Sequence, residues 1–177
     1  MTVLGLDASM VCIGWTLLSD DGSYIDCGYL KLNEEKNIYK KLDIFEKFID
    51  SKLVGLENLK ISMEQALLMF RTKSSMAGVI AKLQEINGMY RAVLYSKLKI
   101  ETSTINPLTA RSLCGLHIPR KTNTKEFVLA HVQSLNQVPN EKWTYSKKGK
   151  SRPTNYDIAD SVIIALASIA QMKNAAK

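Results

Sequence analysis

Thr2-Val3-Leu4-Gly5-Leu6-Asp7 is a short apolar run that ends in a carboxylate. A second run, residues 13–19, mixes glycine, tryptophan and threonine into residues that favour strands, and residues 19–23 have the composition of a turn. A third run of strand character covers residues 24–32. Three such runs separated by short turns predict an antiparallel meander.

Beyond the meander, strands alternate with helices. Apolar residues that recur every three or four positions indicate helices, and short runs of β-formers indicate strands. The predicted helices cover residues 38–53, 74–97, 124–136, where a threonine starts the helix, and 155–172, with one more beginning at Pro107. The predicted strands cover residues 59–64 and 100–105. Parallel neighbours need crossover connections, so this order predicts an α/β fold with a five-stranded mixed sheet flanked by helices, the succession found in RNase H-like folds.

The length of 177 residues suits one substantial core and is short for two, so we expect a single RNase H-like nuclease domain over residues 1–177. No apolar run approaches the roughly 20 residues that cross a bilayer, and the first residues lack the pattern of a signal peptide. We therefore expect an intracellular, cytoplasmic protein. Cys12, Cys27 and Cys114 are far apart, which indicates free thiols, and Cys114 with His117 lacks the second ligand pair of a zinc site.

The net charge of +7 is unevenly distributed. Residues 1–64 carry 7 Lys and Arg against 11 Asp and Glu, a charge of −4, whereas residues 65–177 carry 17 against 6, a charge of +11. Cations held near phosphates release condensed counterions on binding, so the basic second part indicates a polyanionic partner such as nucleic acid. A soluble protein that is merely basic is the alternative.

Four carboxylates are candidates for a common site. Asp7 and Glu64 each end a predicted strand, and ligand sites of α/β sheets collect at the carboxyl ends of strands. Asp157 and Asp160 lie three residues apart near the start of the last helix, which places both on one face. Only six acids occur after Glu64, and two of them are this pair. Taken singly, Asp7 could be a turn residue, Glu64 a neighbour of a helix cap, and the pair ordinary residues favoured by the helix macrodipole.

Phosphodiester hydrolysis is a reaction for which a group of such acids is useful. The reaction needs an activated water, neutralisation of charge on phosphorus and a stabilised leaving oxygen. Two Mg²⁺ ions roughly 3.5 to 4 Å apart can meet all three needs. Mg²⁺ prefers hard oxygen ligands and keeps several waters, so four carboxylates are a sufficient ligand set.

Three motifs resemble those of RuvC-like Holliday junction resolvases, in order and spacing over nearly the whole chain. They are Leu4-Gly5-Leu6-Asp7-Ala8-Ser9 with Ile13-Gly14-Trp15, then Ile61-Ser62-Met63-Glu64-Gln65, and last Tyr156-Asp157-Ile158-Ala159-Asp160-Ser161. The resemblance implies an RNase H-like domain, a homodimer, two divalent metals (Mg²⁺, with Mn²⁺ able to substitute) and paired nicking of four-way or other branched DNA in recombination and repair. It also places Lys125 at the position of the family's basic residue near the catalytic centre.

The chain departs from this family pattern in three places. Ala8-Ser9 replaces the usual Pro-Gly, and Leu67 replaces an aromatic residue, with Phe70 three positions later. These two substitutions bear on junction selectivity and base unstacking rather than on metal-dependent cleavage, and they are compatible with a phage-encoded variant. The stretch 142–152 is longer than the usual connection, which predicts added contact with DNA regardless of sequence. Its cations are Lys147, Lys148, Lys150 and Arg152.

Roles can be assigned to the acidic residues as hypotheses. We expect Asp7 to be shared by both metals, and Glu64 and Asp160 to complete the two coordination shells. Asp157 would bind one ion or orient the attacking water. Lys125 would stabilise charge that develops in the transition state, and a solvated lysine at a helix start is the alternative.

Other residues are candidates for contact with DNA. Phe70, Arg71 and Lys73 lie between a strand and a long helix, where a loop could present an aromatic wedge and cations to opened bases. Burial of Phe70 in the core is the alternative. We expect phosphate contacts from further basic residues, with an ordinary solvated surface as the alternative. These residues are Arg111, Arg120 and Lys121.

The helix over residues 74–97 is a candidate dimer interface, although core packing explains the same apolar stripe. The stripe includes Met76, Ile80, Leu83 and Met89. Two other functions compete with nuclease activity. A non-catalytic branched-DNA-binding module would explain the basic part and leave the acids without a role. An actin-like ATPase or kinase lobe shares the first motif but needs a second lobe and another Gly-rich phosphate-binding segment, for which 177 residues leave no room.

Overall fold

The computed structural model describes residues 1–66 and 77–175, and these contain one five-stranded mixed sheet of order β3-β2-β1-β4-β5. β1 pairs antiparallel with β2 and parallel with β4, β2 pairs antiparallel with β3, and β4 pairs parallel with β5. The strands are β1 (Thr2–Ala8), β2 (Cys12–Ser19), β3 (Tyr24–Lys31), β4 (Leu59–Glu64) and β5 (Thr102–Ile105). The predicted meander and mixed sheet are confirmed. The fifth strand is two residues shorter than expected.

Helices flank the sheet, and three of them begin after an asparagine whose side chain accepts backbone N–H bonds. These caps are Asn37, Asn106 and Asn123. Asparagine is among the best N-caps because its oxygen satisfies orphan donors of the first turn. The helices are α1 (Ile38–Lys52), α2 (Ala77–Leu98), α3 (Pro107–Leu113), α4 (Thr124–Ser134) and α5 (Pro153–Ala175). The predicted start of α4 at Thr124 is confirmed, and the residue that caps the helix is Asn123.

The two faces of the sheet bury different helices, because side chains alternate along a strand. From β1, Leu4 and Leu6 point into a core with Phe45 of α1 and Tyr90 of α2. The Phe45 and Tyr90 rings lie 4.8 Å apart between centroids. On α2 the predicted apolar stripe is buried only from Ile86 onward, and the helix is more exposed before it.

On the opposite face, α5 packs directly on β1 and β2. Gly5 and Gly14 make this approach possible, because a Cβ on Gly5 would overlap the Ser161 carbonyl oxygen and a Cβ on Gly14 would overlap the Asp157 carbonyl oxygen. The Thr16 and Ser161 hydroxyls share a hydrogen bond of 2.7 Å within this buried contact. Helices α3 and α4 cover the outer side of α5. The helix is thus held between two layers, which explains its almost uniformly apolar sequence.

None of the helices in residues 1–66 and 77–175 is both long and apolar enough to cross a membrane.

The contact between Gly14 and α5 yields a stability prediction. Gly14→Ala is expected to push α5 outward and to lower the free energy of unfolding by about 1 to 3 kcal/mol, as overpacking does in well-packed interiors. Thermal unfolding would then show a melting temperature lower by at least ~3 °C. Gly88→Ala on α2 is the matched control. Apart from its chain neighbours and its own helix backbone, no atom of residues 1–66 and 77–175 lies within 4 Å of an added Cβ there, and helix propensity favours alanine. Equal melting temperatures for the two variants would contradict the prediction.

Candidate active site

The strand pairing brings two predicted carboxylates to one edge of the sheet. β1 and β4 are parallel neighbours with Leu6 paired to Met63, so Asp7 and Glu64 follow side by side. Both lie on the face covered by α5, where Gly14 contacts the backbone at Asp157. The charges of Glu64, Asp160 and Asp157 all act on Asp7. The structure therefore brings together the four acids that were predicted from separate motifs.

Burial and mutual repulsion raise the pKa of these carboxyls. Burial raises the pKa of Asp7 well above its usual range, and the charges of Glu64, Asp160 and Asp157 raise it further. Burial and the charge of Asp160 raise the pKa of Glu64 to about 7. Burial is also the main reason that the pKa values of Asp157 and Asp160 are raised. The protein's own cations leave much of this negative charge uncompensated, and such a site favours protons or added cations.

In the part of the chain that the structure describes, two cations lie near the carboxylates. Lys125 lies in the first turn of α4, where its backbone N–H donates to the Asn123 cap at 3.1 Å, and its charge lowers the pKa of all four acids. Arg111 of α3 lies 3.8 Å from Asp160 and opposes the rise in the pKa of Glu64. Arg111 was predicted as a phosphate contact, and its side chain is only 19% exposed beside Asp160. Its position here is next to the acids rather than on an open surface.

The donor chemistry of the four acids fits a hard divalent cation, because carboxylate oxygens are what Mg²⁺ and Mn²⁺ bind. The positions of their side chains, as the structure describes them, do not form a complete coordination site. Among residues 1–66 and 77–175, no three His, Cys, Asp or Glu side chains are arranged so that they could hold a metal ion. The charges of the acids act on one another, and coordination would need their side chains to turn toward a common centre.

Cys12 is a site residue that the sequence analysis did not identify. Its thiol lies near the Asp157 carboxylate, and burial together with this neighbour raises the pKa of the thiol. The three cysteines are free, as predicted. Cys12 is the first residue of β2 and follows the turn after Asp7, so only the strand pairing shows that it faces α5.

The turn after Asp7 is closed by the serine that departs from the family pattern. Ser9 Oγ donates to the Cys12 carbonyl at 2.8 Å and accepts from the Cys12 N–H at 3.1 Å. Tyr90 of α2 donates its hydroxyl hydrogen to the Ser9 carbonyl at 3.4 Å. The side chain of Asn87, also on α2, donates to the carbonyl of Glu64 at the end of β4 at 3.1 Å. Hydrogen bonds from α2 thus fix the backbone beside both strand-end acids.

The predicted basic loop is held at both of its ends. Lys142 donates to Asp26 of β3 at 2.7 Å, and Lys52 of α1 donates to the same carboxylate at 2.8 Å. These two cations lower the pKa of Asp26 even though burial raises it. At the other end, the fully buried Asn155 accepts from the Thr144 N–H at 2.9 Å and donates to the Thr144 carbonyl at 2.8 Å.

The loop and the residues just before it contain more structure than predicted. A short 3-10 helix covers Asn140–Lys142, and Tyr145 pairs antiparallel with Ser151. Six of the cations predicted to contact DNA are exposed. They are Arg120 and Lys121 before α4, and Lys147, Lys148, Lys150 and Arg152 in the loop.

Phe70, Arg71 and Lys73, like Leu67 and Met76, lie outside the described residues.

Comparison with known proteins supports the fold assignment. No family model matches the chain. Over 95 residues it is 27% identical to the crossover junction endodeoxyribonuclease RuvC of Orientia tsutsugamushi (strain Ikeda). The aligned segment covers 51% of this chain and 60% of that relative, so the match spans less than two thirds of the curated protein's length.

Solved structures extend the likeness over the whole chain. RuvC of T. thermophilus in complex with a Holliday junction substrate superposes with a TM-score of 0.68 at 13% identity, covering 98% of this chain and 96% of that one. A second Thermus thermophilus RuvC structure has a TM-score of 0.65 at 14% identity, covering 99% and 97%. The yeast mitochondrial Holliday junction resolvase Ydc2 has a TM-score of 0.61 at 18% identity, covering 97% and 80%.

The fold class is therefore an RNase H-like sheet flanked by helices, as predicted. Within that class, the chain is similar in sequence and in fold to RuvC, which confirms the resemblance read from the three motifs.

The raised pKa of Glu64 yields a prediction about the metal-free protein. A carboxyl whose folded pKa is about 7 and whose usual value is 4.5 stabilises the fold when protonated, and that contribution is lost as the pH rises from about 4.5 to about 7. In EDTA at pH 8, Glu64→Gln should therefore raise the free energy of unfolding by roughly 1 to 3 kcal/mol. At pH 4.5 the gain should nearly vanish.

Thermal unfolding at both pH values measures this difference. Glu57→Gln is the control, because Glu57 is exposed and precedes β4, whose opposite end carries Glu64. A lower melting temperature for Glu64→Gln in EDTA at pH 8 would show that the carboxylate stabilises the metal-free fold, contrary to the prediction.

Proposed function

We propose that this chain is a metal-dependent, structure-selective endodeoxyribonuclease that hydrolyses phosphodiesters of Holliday junctions and other branched DNA. The observation that carries the proposal is the convergence of Asp7, Glu64, Asp157 and Asp160 from β1, β4 and α5 beside Lys125. Similarity to RuvC, including a RuvC solved with a Holliday junction substrate, supports branched DNA as the substrate class.

The four acids are the residues that would hold two divalent ions, Mg²⁺ in the first place with Mn²⁺ able to substitute. Such ions lower the pKa of water and neutralise charge at phosphorus and at the leaving oxygen. Asp7, whose pKa responds to the other three acids, would be the shared ligand, with Glu64 and Asp160 completing the two ligand sets.

The chain's own residues position the reacting groups. Asp157 holds or orients the attacking water, with the Cys12 thiol beside that carboxylate. Arg111, 3.8 Å from Asp160, offsets part of the charge of that acid. The exposed ammonium of Lys125 provides positive charge where the phosphate becomes more negative in the transition state, an electrostatic contribution that a fixed cation makes without reorganisation.

Substrate attraction follows from the charge of residues 65–177, which is +11. The exposed cations of the loop between Thr144 and Asn155 add contacts to phosphates, which position DNA without reading its sequence. These contacts should make binding strongly dependent on salt.

Asp7→Asn tests the carboxylate site, because it removes a charge and keeps the shape of the side chain. Cleavage of a labelled four-way junction in Mg²⁺ should fall by at least ~10³-fold, as expected when an interaction specific to the transition state is lost. Binding of the same junction in EDTA should be retained. Asp43→Asn, at an exposed position of α1, is the matched control and should cut like the parent.

The same gel separates the competing functions. Nicks in the junction that need Mg²⁺ and are absent from a matching duplex support the nuclease. A shift of the junction without nicks would favour a non-catalytic branched-DNA-binding module. ATP turnover would favour an actin-like lobe, for which no second lobe is present in the described residues.

A homodimer is part of the proposal, because symmetric cuts across a four-way junction are most simply made by two sites related by a two-fold axis. The less buried first half of α2, with Ile80 and Leu83, is the candidate interface. Sedimentation at low micromolar concentration should show twice the chain mass of 19.8 kDa. A single species at the chain mass would contradict the dimer and leave the carboxylate site untouched.

A further inference from the structure

A pocket of about 430 Å³ adjoins the acidic site, from which it takes Asp157 and Lys125. The rest of its lining comes from the facing ends of β2 and β3 and from the residues at the start of α5. We call it the Lys31 pocket. Its distinguishing residues are Val11, Tyr29, Lys31, Asn33, Arg152 and Pro153.

The charge of the Lys31 pocket suits an anion. Lys31, Lys125 and Arg152 are exposed at its rim, and within residues 1–66 and 77–175 none of them forms an ion pair. Three unpaired cations around one concave surface indicate a ligand with negative charge.

Hydrogen bonds hold the backbone of Arg152, so the position from which its side chain extends is fixed. The Arg152 N–H donates to the Thr144 carbonyl at 3.1 Å, and Thr144 is itself held by the fully buried Asn155. Lys31 ends β3 and pairs in register with Cys12, whose thiol contacts Asp157. The strand register thus fixes the root of Lys31 beside the acidic site.

The pocket also has an apolar side. Val11 is 57% exposed, Tyr29 is half-buried, and Pro153 is exposed at the first position of α5. Exposed apolar groups beside cations suit a sugar and a base next to a phosphate, since bases stack on aromatic and apolar side chains. The volume lies within the range of cavities that bind small ligands, roughly 300 to 1,000 Å³.

A second, smaller cavity of about 160 Å³ lies where Asp7, Ser9 and Glu64 meet Ala66. The acids thus have a cavity on the side of Glu64 and the Lys31 pocket on the side of Asp157. A DNA strand whose scissile phosphate sits at the acids would place a neighbouring nucleotide in the larger pocket.

We propose that the Lys31 pocket binds the nucleotide of the cut strand that adjoins the scissile phosphate, with Lys31 and Arg152 contacting its outer phosphate. This inference rests on the proposed nuclease function. Lys31 and Arg152 are then binding residues that set the register of the strand at the acids.

The experiment replaces single phosphates of the junction by neutral methylphosphonates at the four positions on each side of the cut. For the parent, a methylphosphonate at one position adjoining the cut should lower kcat/KM by about 10-fold, which is the size of one charge-assisted contact. In the double variant Lys31→Gln/Arg152→Gln the same replacement should cost less than about twofold, because both contacts to that phosphate are already missing. In each single variant the cost should be smaller than in the parent, because one of the two contacts remains. Lys40→Gln, at an exposed site on α1, should keep the parent's profile.

The unmodified junction distinguishes the two ways of failing. A parent that does not cut it refutes the proposed nuclease function. A parent that cuts, together with pocket variants that show the parent's full methylphosphonate profile, refutes the Lys31 pocket alone. Thermal unfolding of the variants confirms that they are folded, which their exposed positions lead us to expect.

Discussion

The close approach of α5 to β1 and β2 is the contact on which the site depends. Gly5 and Gly14 leave no side chain between the sheet and the helix backbone, so Asp157 lies against Gly14 of β2, the residue that pairs with Asp7 of β1. A larger residue would move Asp157 and Asp160 away from Asp7 and Glu64 together, because a helix moves as a rigid unit. Two glycines in separate strands therefore control the spacing of four acids that belong to three elements.

Holding these acids together opposes folding, and the surrounding structure must offset that cost. Burial and repulsion both disfavour the charged carboxylates, as the pKa of about 7 for Glu64 shows. Hydrogen bonds from Tyr90 and Asn87 fix the backbone beside the two strand ends, and large apolar clusters on both faces of the sheet supply the stabilisation. Sites that bind cations are often less stable without them for this reason, because binding to the folded state alone shifts the equilibrium toward it.

The sequence predicted the strands, the helices and the four acids because each has a local signature. Strand runs and helical periodicity follow from burial on one face, and Asp7 and Glu64 stand at the ends of such runs. The contacts of Cys12 with Asp157 and of Arg111 with Asp160 could not be predicted, since both join residues more than 45 positions apart whose meeting depends on register and helix placement. Ser9 looked like a departure from a family turn, and its side chain closes that turn instead.

In the fold, the acids of the site and the cations around them lie on different elements. Two acids lie on the sheet and two on the buried helix α5, elements whose side chains have little freedom to move. The cations nearest to them lie on α3, on the first turn of α4 and at the ends of the basic loop, where they reach outward or across the cleft. A phosphate approaching this surface meets mobile positive charge first and fixed negative charge beneath it. Because the fixed charges repel a bare phosphate, the scissile phosphate can approach the acids only with cations between the two. The metal ions that the site is proposed to hold would thus govern the placement of that phosphate, while the outer cations of the protein bind the rest of the DNA without them.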